Sequence, residues 1–357
     1  MAKRITSTTI TNLTKMKREN IIHPVLFALL GIAIVGLIIA DLLIGTTAIP
    51  IEEVWATLMG RATDASHATI ILKMRLPKVI VAAAAGMALS ASGLQMQTLF
   101  RNPLAGPYVL GINSGASLGV ALFTLATPLL GIATSSWLRM FGTTGMAWIG
   151  SALILLLVMS LSRRIRNINV ILIIGMMLSS AISAVVGILQ YMGTDESLKA
   201  FVVWTMGSVA TVTVEQLYIL VPVVMIGILL SIVAIKPLNI LLLGEAYAET
   251  MGLNLRRSRI IIFLSTTLLA GSVTAFCGPI GFIGLAMPHL ARMTFRTADH
   301  RTLMPAAILW GAVSMLLCTL LCDIVARSGM MLPVNTITSL LGIPIIIYVV
   351  LRNSHRQ

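Results

Sequence analysis

The stretch LLLGEAYAETMGLNLRRSR, residues 241–259, is a polar island in a chain that is otherwise mostly apolar. Within nineteen positions stand two carboxylates (Glu245, Glu249), three arginines (Arg256, Arg257, Arg259) and two glycines (Gly244, Gly252). There is no H-E-x-x-H, no G-x-S-x-G and no clustered His or carboxylate, so an enzyme reading is weak. No G-x-x-x-x-G-K-[ST] loop occurs either, so the chain does not hold ATP in that way. Cys277, Cys318 and Cys322 all lie in apolar runs. Cys318 and Cys322 share a helix face without metal-ligand spacing around them, and read as small packing residues rather than a metal site. The polar island therefore reads as a place of contact, and the question becomes what holds it.

The elements around it are written for a bilayer. Of 357 residues, 57% are apolar and 10% charged, where soluble domains carry about 25% charged residues. The reading is an all-α polytopic membrane protein. Uncharged runs place spans near 25–45, 79–100, 105–127, 145–162, 168–191, 216–235, 303–322 and 333–351, because about 20 apolar residues cross a bilayer. The first run is too long for a signal-peptide core and reads as a retained span. Residues 200–214, rich in Thr, Ser and Gly, suit a helix lying at the membrane surface. Residues 260–291 are uncharged for 32 positions, about 48 Å as one helix. With Gly278-Pro279 in the middle they divide into two short segments, 260–276 and 279–292. Interrupted backbone at membrane depth is tolerated where protein or a water-filled cavity surrounds it, so this break is expected to line something.

Charge tests the count. With ten spans, 18 of the 25 Lys and Arg residues fall on one face together with both termini, while 8 of the 12 acids fall on the other. The positive-inside rule then puts both termini in the cytoplasm. The net charge of +13 is a topological signal and does not call for nucleic acid. The expected organisation is a cytoplasmic N-terminal tail (1–23), one ten-helix permease domain (24–352) with a polar cytoplasmic loop at about 237–258, and a C-terminal tail (353–357).

The spans lack what an ion-coupled carrier uses: Asp41 and Asp323 stand at the outer ends of their helices, and no Lys or Arg lies mid-span. They contain small residues instead. Gly111, Gly115 and Gly119 form a G-x-x-x-G-x-x-x-G face, a close-packing signature. The chain reads as built to pass something, with its energy supplied from outside.

Four blocks resemble the FecCD-type permeases of ABC importers for iron–siderophore, haem and vitamin B12. These are RLPKVIVAAAAGMALSASGLQMQTLFRNPLAGPYVLGINSGASLGVAL (75–122), GEAYAETMGL (244–253), GPIGFIGLAMPHLARM (278–293) and LPVNTITSLLGIPIIIYVV (332–350). The resemblance runs from about Thr46 to the C-terminus. It implies a type II ABC importer permease of ten helices in the bacterial inner membrane, working by alternating access without covalent chemistry or a cofactor of its own. Its partners would be two ATPase subunits, a periplasmic or lipid-anchored substrate-binding protein, a second permease copy (a homodimer or a related chain) and membrane lipid. Gly244, Glu245, Ala248 and Gly252 would form the ATPase-coupling element, with the following arginines anchoring the next span at the interface. Asn102 and Leu104 would narrow the cytoplasmic end of the pathway, though FRNPLAGP also reads simply as a helix stop. Arg75, Lys78 and Arg327 would face the binding protein. Lys78 stands where arginine is common, and Asn335 where glycine is common. An ion-coupled secondary carrier is the alternative reading.

Overall fold

A computed structural model describes the backbone of residues 2–45, 47–61, 64–127, 136–165, 167–330 and 332–354, and side chains among these outside 2–21, 136–141, 163, 350 and 352–354. Fourteen helices account for nearly all of it: α1 (Ala2–Leu43), α2 (Ile51–Leu58), α3 (Ala65–Leu99), α4 (Ile112–Ala126), α5 (Ser136–Arg164), α6 (Ile168–Met192), α7 (Asp195–Thr205), α8 (Val214–Val233), α9 (Ile235–Leu241), α10 (Glu245–Thr250), α11 (Leu255–Cys277), α12 (Ile283–Phe295), α13 (His300–Ala326) and α14 (Val334–Ser354). Seven hold spans long and apolar enough to cross a bilayer: Ile22–Leu43 of α1, α3, Gly142–Ser162 of α5, α6, α8, α11 and α13. Two shorter apolar helices, Ile112–Ala126 and Val334–Val349, and the 13-residue α12 stand in the remaining expected places.

Hydropathy alone does not tell centre from rim in a membrane, because lipid is as apolar as leucine; small residues do. The apolar window of α3 is 83% buried and that of α11 78%, against 17% for the first span. The sequence of α3 is Ala-, Gly- and Ser-rich, which lets neighbours approach to backbone contact. A Cβ placed on Gly86 would sit 2.1 Å from Gly311 O, and one on Gly93 would sit 1.7 Å from Gly284 O. Of the expected glycine face, Gly115 and Gly119 pack in the same way, while Gly111 falls before α4 and a Cβ there would lie 3.0 Å from Ser179 Oγ of α6. Cβ atoms on Gly115 and Gly119 would meet the backbone of α5, Gly150 O at 2.5 Å and Met146 O at 2.0 Å. Ser90 Oγ donates to Ala307 O, and Gln95 Nε2 to Ser265 Oγ, stitching α3 to α13 and α11.

The structure moves several expected boundaries. Helix α3 begins at Ala65 rather than near 79, running through Lys73, Arg75 and Lys78 by way of a π-helical turn at Ile71–Arg75. Polar partners inside the fold make Arg75 and Lys78 tolerable there, and Lys73 stays exposed. Helix α4 starts at Ile112 rather than 105, because Gly111 takes φ 81 and turns the chain immediately before it. The helix expected over 200–214 starts earlier, at Asp195, where the Thr194 side chain caps it, and ends at Thr205. At the N-terminus, residues 2–23 continue the first span as helix, and at the other end 355–357 lie outside the described residues.

Candidate functional site: a polar projection, a helix-end turn and a basic cluster

The polar island folds into a compact projection between α8 and α11. Helix α10 is one and a half turns long. It is closed by a glycine-terminated cap in which Gly252 N donates to Glu249 O (2.9 Å) and Leu253 N to Ala248 O (3.0 Å). That pattern needs a left-handed residue at position 252, and Gly252 has φ 80 with nothing within 4 Å of where a methyl group would sit. Gly244 enters the element at φ 102 and ψ 153, and Asn254 caps α11 through Arg257 N (2.9 Å). Glu245 pairs with Arg259 at 2.6 Å, and Arg259 Nη1 reaches Ile165 O at 3.3 Å. Arg259 is thus buried and ties α10 to α11 and to the end of α5; it is not an interfacial anchor, unlike the exposed Arg256 and Arg257.

The four motif residues come together as scaffold. Ala248 is fully buried, both glycines set the turns, and Glu245 faces inward to its arginine. What the element presents is different: Leu243, Tyr247 and Met251 are all more than half exposed. Leu243 and Tyr247 line a shallow groove of about 470 Å3 together with Arg101, Gly244, Glu245, Ala246 and Thr250. Large apolar side chains in a polar projection are the signature of a surface awaiting a partner. Residue types alone did not single them out, because in this composition apolar residues are everywhere.

The turn after α3, at residues 100–105, lies next to it. Helix α3 ends at Leu99, Arg101 takes a left-handed φ of 48, and Asn102 Oδ1 accepts from Leu104 N (2.9 Å) in an Asx turn. The helix-stop reading is therefore correct locally. Leu104 is 51% exposed at the tip.

On the opposite end of α3, Arg75, Lys78 and Arg327 do gather, but around the chain's own loop. Arg75 is buried, and its guanidinium donates to Leu42 O (2.7 Å), Leu43 O (3.2 Å) and Thr47 O. Gly45 leaves it room, since a Cβ there would lie 2.7 Å from Arg75 Nη2. Arg327 Nε donates to Gly45 O (2.9 Å) while its side chain stays exposed. Lys78 pairs with Asp323, and Thr319 Oγ1 donates to the buried Asp41 (3.0 Å). Nearby in sequence, Glu53, Asp64 and His67 converge at the start of α3, with His67 Nδ1 2.6 Å from Glu53 Oε2. This cluster was not apparent from the sequence because its members are spread over two helices and a turn.

The interrupted segment is confirmed as a break. Gly278 (φ 74) and Phe282 (φ 64) depart from helix, and α11 and α12 flank them. Its backbone polar groups find partners from three other elements: Ser208 N donates to Cys277 O (2.7 Å), Tyr108 Oη to Ile280 O (3.1 Å), and Gly281 N to Asn335 Oδ1 (2.9 Å). Asn335, unexplained by sequence, thus supplies an acceptor that glycine lacks.

The bundle has a compact polar projection between spans and a broken helix packed in protein, and its relatives place it among the membrane-spanning permeases of ABC importers. The chain belongs to the FecCD transport family, whose profile matches residues 29–352. It is 37% identical to the hemin transport system permease protein HmuU of Yersinia pestis, over 84% of this chain and 89% of that one. It is 33% identical to the Fe(3+) dicitrate transport system permease protein FecC of Escherichia coli, over 92% and 98%. It is 35% identical to the molybdate import system permease protein MolB of Haemophilus influenzae, over 90% and 93%. A solved structure described as an inward-facing ABC transporter of metal-chelate type superposes with a TM-score of 0.78 at 28% identity, covering 92% of this chain and 99% of that one. The chain is accordingly a multi-pass transport permease subunit of the cytoplasmic membrane, one that works with ATPase and substrate-binding partners.

Proposed function

We propose that this permease moves a metal chelate (an iron chelate, haem or a corrinoid) along an axis between two copies of itself, with both termini and residues 237–258 in the cytoplasm and ten spans crossing the bilayer. The observation that carries the coupling half is the rigid, glycine-capped α10 bearing exposed Leu243, Tyr247 and Met251. A short helix braced by the Glu245–Arg259 pair passes displacement to α11 as a rigid body, and its exposed apolar side chains offer an ATPase subunit something to grip. Leu104, exposed at the turn after α3, meets its copy across the axis beside Asn102 and narrows the exit. On the outer face Arg327 makes the electrostatic contact with acidic groups of a binding protein. Arg75 and Lys78 act behind it, Arg75 by holding the 42–47 loop and Lys78 by holding Asp323.

The chelate reading draws support from relatives named for hemin and ferric dicitrate, and the absence of mid-span charges argues against an ion-coupled carrier. The test is uptake into proteoliposomes by the permease reconstituted with its ATPase and binding protein. Hemin, ferric citrate, cobalamin and molybdate are supplied in parallel. ATP-dependent uptake of one of the first three is expected; uptake of molybdate alone would overturn the cargo class.

A further inference from the structure

One cavity on the face that carries the coupling element is left unused by the transport reading. It measures about 940 Å3 and lies where α3, α12 and α14 end. Its polar lining is Gln97, Thr98, Arg101, His289, Arg292 and Arg296, with no carboxylate among the described residues. None of the three arginines belongs to an ion pair among the described residues. Arg292 is half-buried and its Nη1 donates to Gln97 Oε1 (2.5 Å); that oxygen is aimed by Gln97 Nε2, which donates to Leu285 O (3.0 Å). His289 Nε2 donates to Pro103 O (2.8 Å), fixing the ring against the turn after α3. Arg101 and Arg296 also line it, each in a left-handed turn at a helix end (φ 48 and 51), and both are exposed.

Three guanidiniums converging in a partly enclosed cavity beside a bilayer repel one another more than they would in water. Such a site is stable when an anion fills it. Guanidiniums match phosphate oxygens in fork geometry, and basic pockets between membrane helices receive anionic headgroups. The remaining wall is apolar, from Leu242, Met293 and Val349, which suits the first methylenes of an acyl chain. We propose that this cavity binds a phosphate-bearing anion, supplied either by an anionic phospholipid headgroup or by free phosphate. Because Arg101 lines both this cavity and the groove beside α10, the bound anion bears directly on the coupling surface.

The test uses the full chain purified into nanodiscs of phosphatidylcholine alone or with phosphatidylglycerol, with retained lipid read by native mass spectrometry. Inorganic phosphate is titrated in the phosphatidylcholine discs and read by thermal shift. The double variant Arg101→Gln/Arg296→Gln is compared with Arg256→Gln/Arg257→Gln, which removes the same charge outside the cavity. Basic residues near a membrane contribute about fivefold each in affinity for anionic lipid, so the cavity variant is expected to lose roughly 25-fold in phosphatidylglycerol retention, with an unchanged Tm in phosphatidylcholine. Retention lost on this variant identifies a headgroup; a phosphate-dependent shift lost on it identifies free phosphate. Equal losses in both double variants, or no loss in the cavity variant, would overturn the proposal. So would loss of ATPase subunit binding with unaltered anion binding, which would assign the cavity to a protein carboxylate.

Discussion

Replacing Gly252 tests whether α10 is a built coupling element or a linker. At φ 80 with nothing within 4 Å of an added Cβ, a side chain there meets no neighbour, so its cost is purely conformational. An L-residue in the left-handed region costs about 1–2 kcal/mol, a five- to thirtyfold shift toward states in which the turn is undone. Undoing it breaks both cap bonds, Gly252 N to Glu249 O and Leu253 N to Ala248 O, and lets Glu245 swing from its 2.6 Å contact with Arg259. Gly252→Val, β-branched and least tolerant of positive φ, should show the full effect. Gly252→Asn should recover much of it, because asparagine enters that region readily. All variants should accumulate normally in the membrane, since every span is intact. Co-purification of the ATPase subunit, and stimulation of its ATP hydrolysis by loaded binding protein, should fall for Val and return for Asn. Equal loss in Val and Asn would point to the lost glycine surface rather than the turn, and no loss in Val would refute the reasoning.

The remaining expectations follow the same logic. Gly93→Ala and Gly86→Ala drive a methyl into backbone at 1.7 and 2.1 Å and should lower the Tm of the purified chain by the equivalent of about 1–3 kcal/mol of overpacking or more. Gly31→Ala, with open space around it, should not; equal effects would mean that α3 does not pack as described. Single cysteines at Lys199 and Thr250 should react with an impermeant thiol reagent from outside and from inside respectively, and outside labelling at Thr250 in sealed cells contradicts the ten-span topology. Arg75→Met should expose the 42–47 loop to protease by leaving Leu42 O, Leu43 O and Thr47 O without their donor, while Arg327→Glu should weaken binding-protein docking by about 1 kcal/mol or less, most visibly at low salt. Asp299 caps α13, and its bond from Arg301 N, aided by Asn239, lowers its pKa below the ordinary carboxylate value. Its contribution is therefore present above that value and fades as pH falls through the lowered one. Asp299→Ala should cost about 1 kcal/mol near neutrality and less in acid, measured by thermal unfolding across pH.

Some features of this chain are decided within short stretches and could be read there. Apolar run length marked the spans, and Gly278-Pro279 marked the break that Gly278 and Phe282 make. The glycine spacing on α4 announced its backbone contact with α5, and Gly252 announced its left-handed turn. Each is a local property: solvation of a segment, or the steric freedom of one residue. The partners were decided by packing. Arg259 and Arg75 look alike in the sequence as interfacial basic residues, yet one braces α10 from within and the other clamps a loop about thirty positions away. Asn335 was opaque until Gly281 N came within 2.9 Å of it. Gln97 and Arg292 share a cavity across 195 positions of chain. Polar groups at membrane depth bond to whatever packing brings near, because no water is there to satisfy them. Which helices touch is settled by the small-residue faces acting together, and no single segment contains that information.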